Sequence, residues 1–345
     1  MRTLLLIYLG SALFFSCKKD QDLSSISETI YVRNKSADMP VYMRGNMSSK
    51  VIILIVHGGP GGNGLEYRTG RFSEELEAHY AVAYWDQRGN GMSHGKFKKS
   101  EMTIDNMVHD MYAVIKVLKA KYGNDVRVFA LGHSWGGTLT AKFMISSGYQ
   151  YLLTGWIEAD GAHDIPKLNV DAIKMFRAVA QEQIALGNNV DNWNGILSWA
   201  NEVDTNNISV EDGGEINQKA HEVEEWLRSD GVITTEESGG HKNSIFFGPT
   251  NPFTSWMIGN QTNSALQVTE TLAMTNELHL VSIPCLFLWG KYDFVVPPSL
   301  GVDAFNEVNS TNKKLVIFDH SGHSPMADEW EKFAYEVVQF VDAVK

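Results

Sequence analysis

Cysteine is scarce in this chain, with two among 345 residues, Cys17 and Cys285. A disulfide framework is therefore excluded as the source of the fold, and a chain of this length can bury enough apolar surface to do without one. Basic residues are also in deficit. Lys and Arg number 29 against 41 Asp and Glu, a formal net charge of -12, and no basic patch interrupts the excess. Nucleic acid and anionic lipid surfaces would be repelled by such a chain and are excluded as partners. No apolar run is long enough to span a bilayer. Repeats and low-complexity tracts are missing as well, as is the Gly-Lys-Ser/Thr ending of a phosphate-binding loop.

The N-terminus departs from the rest. Arg2 precedes a largely apolar run from Leu4 to Phe15, followed by Ser16, Cys17 and the polar Lys18-Lys19-Asp20. The pattern fits a secretory signal, and Leu13-Phe14-Phe15-Ser16-Cys17 resembles a bacterial lipoprotein signal in which Cys17 carries the lipid. The expectation is an exported protein, periplasmic or membrane-anchored through that lipid, with simple secretion as the alternative. Residues 18–30 read as a polar tether.

The remainder alternates strand and helix patterns. Val51 to Val56 is a continuous apolar, mostly β-branched run, the mark of a strand buried on both faces of a parallel sheet. Tyr80 to Trp85, Val126 to Leu131, Cys285 to Trp289 and Leu315 to Phe318 read the same way. Ile104, Met107, Val108, Met111, Ile115 and Leu118 share one helical face, with Gly123 as the cap. Alternation of this kind specifies an α/β architecture, a mostly parallel sheet flanked by helices. Between 161 and 280 the alternation stops. Helical patterns broken at Gly187-Asn188-Asn189 and at Asp212-Gly213-Gly214, with Trp193, Trp199, Trp226 and Trp256 among them, suggest an inserted helical cap. The reading divides the chain into a core of 31–160 and 281–345 and a cap of 161–280.

Gly132-His133-Ser134-Trp135-Gly136 matches G-x-S-x-G between a buried strand and a helix, the context that pentapeptide needs. Ser134 is the candidate nucleophile. A hydroxyl needs a base to take its proton, and His323, in His320-Ser321-Gly322-His323, is preferred because the glycine before it lets the loop approach the serine; His320 is the alternative. Asp293, just past the strand ending at Trp289, is the carboxylate expected to orient the base, with Asp160 as its rival. Two histidines at this spacing with no third ligand do not make a metal site. Backbone donors aimed at the developing oxyanion are worth about 3 to 4 kcal/mol each, and Gly59, in His57-Gly58-Gly59-Pro60-Gly61-Gly62, and Trp135 are placed to supply them.

With its order Ser134, Asp293, His323, the chain resembles the α/β-hydrolases, and within them the proline iminopeptidase branch (peptidase family S33 type). The resemblance rests on His57 to Gly61, on Asp86-Gln87-Arg88-Gly89-Asn90-Gly91-Met92-Ser93 and on Gly132 to Gly137, although His133 stands where that branch commonly has a second glycine. It implies the α/β-hydrolase fold and an aminopeptidase that releases an N-terminal residue from a small peptide or amide through an acyl-enzyme, without metal or organic cofactor. It also implies cap carboxylates that hold the substrate's ammonium, for which Glu202, Glu222, Glu224 and Glu225 are candidates. Asp86 and Arg88 are expected to pair and brace the oxyanion loop. A carboxylesterase or lactonase with the same triad, its acyl site lined by the cap tryptophans, is the competing reading. A surface lipoprotein that binds peptides or glycans without catalysis is the remaining one.

Overall fold

In the computed structural model, the structure describes residues 23–96, 98–234 and 271–345. The expectations about the 1–17 signal, Cys17 and Trp256 lie outside them. The chain opens with a hairpin, β1 (Ile26–Asn34) and β2 (Ala37–Gly45), paired antiparallel. β1 occupies the end of the predicted tether because Ile26, Ile30 and Val32 point inward while Ser27, Thr29, Tyr31 and Arg33 stay outward, an alternation that satisfies an edge strand. β3 (Val51–Val56), α1 (Arg71–His79), β4 (Ala81–Trp85), the two-residue β5 (His94–Gly95), α2 (Ile104–Tyr122), β6 (Arg127–His133), α3 (Trp135–Ile145) and β7 (Gly155–Ala159) follow. After the helical segment come β8 (Cys285–Gly290), α7 (Pro298–Glu307), β9 (Lys313–Phe318), the short α8 (Pro325–Asp328) and α9 (Trp330–Val344).

The strands form one sheet ordered β1-β2-β4-β3-β6-β7-β8-β9, with β5 beside β2. From β4 to β9 every pairing is parallel. Helices α2, α3 and α7 seal one face and α1 and α9 the other, which is why β3, β4, β7 and β8 are buried at every position. Ligand sites in such sheets form at the carboxyl ends of the strands. His57, Asp86, Ser134, Asp160, Asp293 and His323 all follow those ends.

Between β7 and β8 the chain forms α4 (Ile165–Leu186), α5 (Val190–Glu202) and α6 (Val210–Ser229). Gly187 ends α4 in the left-handed conformation, as a break there requires. Asp212-Gly213-Gly214, in contrast, lies inside α6. Ser209 and Asp212 form a capping box that starts the helix ahead of the glycines, and the two bonds outweigh their poor propensity. These helices build a core of their own from Phe176, Trp193, Ile196, Ile216, Val223 and Leu227, joined by Tyr292 and Phe294 from the loop after β8. Trp193 packs edge-on against Trp226 and Trp199 against Phe176. Those three tryptophans are thus structural filling, not the lining of an acyl site, because helices this amphipathic must bury one face against each other.

Candidate active site

Ser134 sits between β6 and α3 at φ 56° and ψ -122°, a conformation L residues avoid and one that the surroundings must hold in place. Gly136 permits it: a Cβ there would lie 1.9 Å from the carbonyl oxygen of Val56, so only glycine lets the new helix pass so close to β3. The carbonyl of Ser134 accepts from the N–H groups of Gly137, Thr138 and Ala162. The bend is thereby tied to both α3 and the segment after β7.

The oxyanion loop is fixed by hydrogen bonds rather than by charge. His57 Nδ1 bonds the Gly58 carbonyl at 2.7 Å and its Nε2 accepts the Gln87 N–H. Gln87 Nε2 donates to the His57 carbonyl at 2.8 Å, and Trp135 Nε1 donates to Gln87 Oε1 at 3.0 Å. The three resembling motifs are thus physically interlocked. Burial holds His57 at a pKa of about 4, so it remains a neutral connector. The Gly58 N–H donates to Tyr67 Oη at 2.9 Å, whereas the N–H groups of Gly59 and Trp135 have no partner among the described residues. Those two are the donors a developing oxyanion can use.

Asp86 and Arg88 do not pair with each other. Asp86 accepts from the N–H groups of Gly64 and Met92 and from Tyr42 Oη, and burial lifts its pKa to about 6. Arg88 instead forms a fully buried two-bond fork with Asp110, at 2.8 and 2.7 Å. Both residues brace the loop, but through different partners, because a bidentate fork needs a carboxylate facing it in one plane.

Asp293 and His323 meet as expected: Nδ1 of the ring lies 2.9 Å from Asp293 Oδ2, and Asp293 Oδ1 accepts the Val296 N–H at 2.7 Å. The base is seated against the serine's bend by His133, whose Nε2 lies 2.8 Å from the His323 carbonyl oxygen, with the rings 4.9 Å apart. A carbonyl only accepts, so Nε2 of His133 carries the hydrogen, and its Nδ1 accepts from Tyr67 Oη at 2.6 Å. Burial first, then the neighbouring His323, depresses the His133 pKa to about 3. Burial likewise lowers His323, against the opposing charges of Asp160 and Glu224. A neutral imidazole is the form that can accept a proton.

His320 is exposed, its main-chain N–H bonded to Glu329, and takes no part. Asp160 is closer to the chemistry than a mere rival. It is fully buried at φ 46°, and its Oδ1 accepts the Gly290 N–H while Oδ2 has no partner among the described residues. Burial first and the charge of Asp293 second push Asp160 well above the carboxylate range.

Of the cap carboxylates, Glu202, Glu222 and Glu225 are exposed, and Glu225 lies 3.6 Å from Arg228. Glu224 alone turns inward. It is buried between the Asp293 and His323 loops, and it was the candidate that charge alone could not separate from its neighbours. The spacing of Ile216, Ala220, Val223 and Leu227 does separate it, since Glu224 follows Ala220 by four and precedes Leu227 by three.

Residues 47–208 match the family described as serine aminopeptidase, S33. A proline iminopeptidase from Saccharolobus solfataricus is 28% identical over 295 residues, covering 85% of each chain. A probable aminopeptidase from Bacillus subtilis is 23% identical, covering 82% of this chain and 86% of its own. Among solved structures, a thermophilic esterase from Thermogutta terrifontis aligns over 92% of this chain and 99% of its own with a TM-score of 0.58 at 18% identity. A serine hydrolase of carbazole degradation aligns over 92% of this chain and all of its own with a TM-score of 0.60, also at 18% identity. At that identity the structural likeness speaks for the fold.

Proposed function

This chain is an α/β-hydrolase of the S33 type, and from that premise we propose that it is an aminopeptidase of the proline iminopeptidase kind, acting through an acyl-enzyme on Ser134. One observation carries the chemistry: a serine held at φ 56° on a strand-to-helix bend, with an Asp293-bound histidine fastened beside it and the N–H groups of Gly59 and Trp135 without a partner among the described residues.

His323 Nε2 takes the Ser134 proton as Oγ attacks the carbonyl carbon, and the oxyanion faces the N–H groups of Gly59 and Trp135. The C–N bond then breaks, His323 hands the proton to the departing amine, and the acyl group stays on Ser134. Water, losing its proton to the same ring, releases the acid. Asp293 keeps Nδ1 protonated and supports the transient imidazolium. Specificity for a free N-terminal amine is supported by the relatives' names and the shared loop motifs, not by a described ammonium site. The exposure of Glu202, Glu222 and Glu225 favours a second reading, a carboxylesterase with the same apparatus. Export through residues 1–17, with lipid on Cys17, is part of the proposal and rests on the sequence.

A panel of prolyl and alanyl aryl-amides, their N-acylated counterparts and simple aryl esters, assayed with wild type and Ser134→Ala, tests this. The expected outcome is turnover of free-amine amides, reduced by about 10³-fold or more in Ser134→Ala. Turnover of esters and N-acylated substrates alone would establish the esterase. Failure of Ser134 to react with a fluorophosphonate would end both readings and leave the non-catalytic one.

A further inference from the structure

Glu224 reaches from the cap helix α6 into the gap between the two loops that supply the acid and the base. Its Oε1 accepts the Phe294 N–H and its Oε2 the His323 N–H, each at 3.0 Å, and it is only 5% exposed. Gly322 makes the approach possible, since a Cβ there would lie 2.3 Å from Oε2. One turn further along the same helix Arg228 bonds Asp328, at 2.5 Å, and Asp328 accepts the Gly322 N–H at 3.0 Å. Two successive turns of α6 therefore hold two consecutive N–H groups of the Ser321–His323 loop, His323 directly and Gly322 through Asp328, together with the Phe294 N–H of the neighbouring loop.

We propose that Glu224 is a positioning residue of this active site, a cap carboxylate that fixes the main chain on either side of the Asp293–His323 pair and so sets the reach of His323 toward Ser134. The inference rests on the Ser134 mechanism above. Both oxygens accept, which is the pattern of an ionised carboxylate. A buried charge kept among His323, Asp293, Asp160 and Arg228, with His221 one turn back on α6, is costly unless its donors are in place. An ammonium from substrate would have to compete for oxygens that already hold both loops.

The test measures the rate of fluorophosphonate labelling of Ser134, and kcat and KM for an uncharged aryl ester and for a prolyl aryl-amide with a free amine, in wild type, Glu224→Gln and Glu224→Asp, with thermal melting of each. Glutamine presents an amide nitrogen to one of the two N–H groups and loses that bond. Labelling and kcat are expected to fall about 10- to 100-fold, with KM for the ester within about twofold of wild type. Because an anion near His323 is lost, the acidic limb of the Glu224→Gln profile should also move to lower pH. Glu224→Asp, one methylene too short but still charged, should lose rate without that displacement. Labelling of both variants at the wild-type rate, or a loss confined to KM for free-amine amides, would overturn the inference and make Glu224 an ammonium holder or a bystander. Variants without a cooperative melting transition would assign the residue to folding and overturn it equally. If wild type itself is not labelled, the fault lies with the mechanism instead.

Discussion

His323 is held at every polar group it offers the protein: its N–H by Glu224, its carbonyl by His133 and its Nδ1 by Asp293. Its Nε2 has no partner among the described residues and is the atom left for the proton transfer proposed above. Burial disfavours the imidazolium, so the folded pKa lies below the ordinary 6.5. The sign follows directly: the competent form is neutral, present above that pKa and lost as pH falls through it. In free-enzyme kcat/KM the acidic limb is therefore expected below pH 6.5, whereas an unburied histidine would place it at that value. A rate unchanged from pH 7 to 4 would deny His323 its role. His133, already depressed to about 3, does not contribute a limb in that range.

At the scale of elements, α6 matters most, since its register carries Glu224 and Arg228 to the catalytic loops. Its N-terminus is secured by Ser209 and Asp212. Ser209→Ala is expected to cost about 1 kcal/mol of stability, read by thermal or denaturant unfolding, while fluorophosphonate labelling of the folded protein stays at the wild-type rate. Loss of labelling without loss of stability would mean that the start of the helix, fifteen residues before Glu224, is felt at the site. The buried strands β3, β4, β6 and β8 could be read from the sequence, because two covered faces demand unbroken apolar runs, and the edge strand β9 from its apolar half Leu315 to Phe318. So could the bend at Ser134 and the meeting of Asp293 with His323, because a strand-to-helix junction and the strand ends confine where they can lie. The β1–β2 hairpin was not legible, since its strands mix charges such as Glu28 and Arg44 with their apolar positions. Partnerships were less legible still. Arg88 with Asp110, and Glu224 with two loops 70 and 99 residues away, depend on how distant segments come together, which local patterns do not encode.

Over the whole molecule the net charge of -12 produces a field that draws in cations. If the substrate carries a free ammonium, kcat/KM should decline as ionic strength rises from about 0.01 to 1 M, where the screening length shrinks from about 30 to 3 Å. An uncharged aryl ester assayed in parallel should show no such decline. Equal behaviour of the two substrates would argue that the site takes neutral acyl groups.

Tyr292 and Phe294, on either side of Asp293, are packed into the cap's own apolar core and not into the sheet's. Assembly and activity are coupled as a result. On the mechanism proposed above, loosening that apolar core would unseat Asp293 and leave the imidazole of His323 without the carboxylate that orients it.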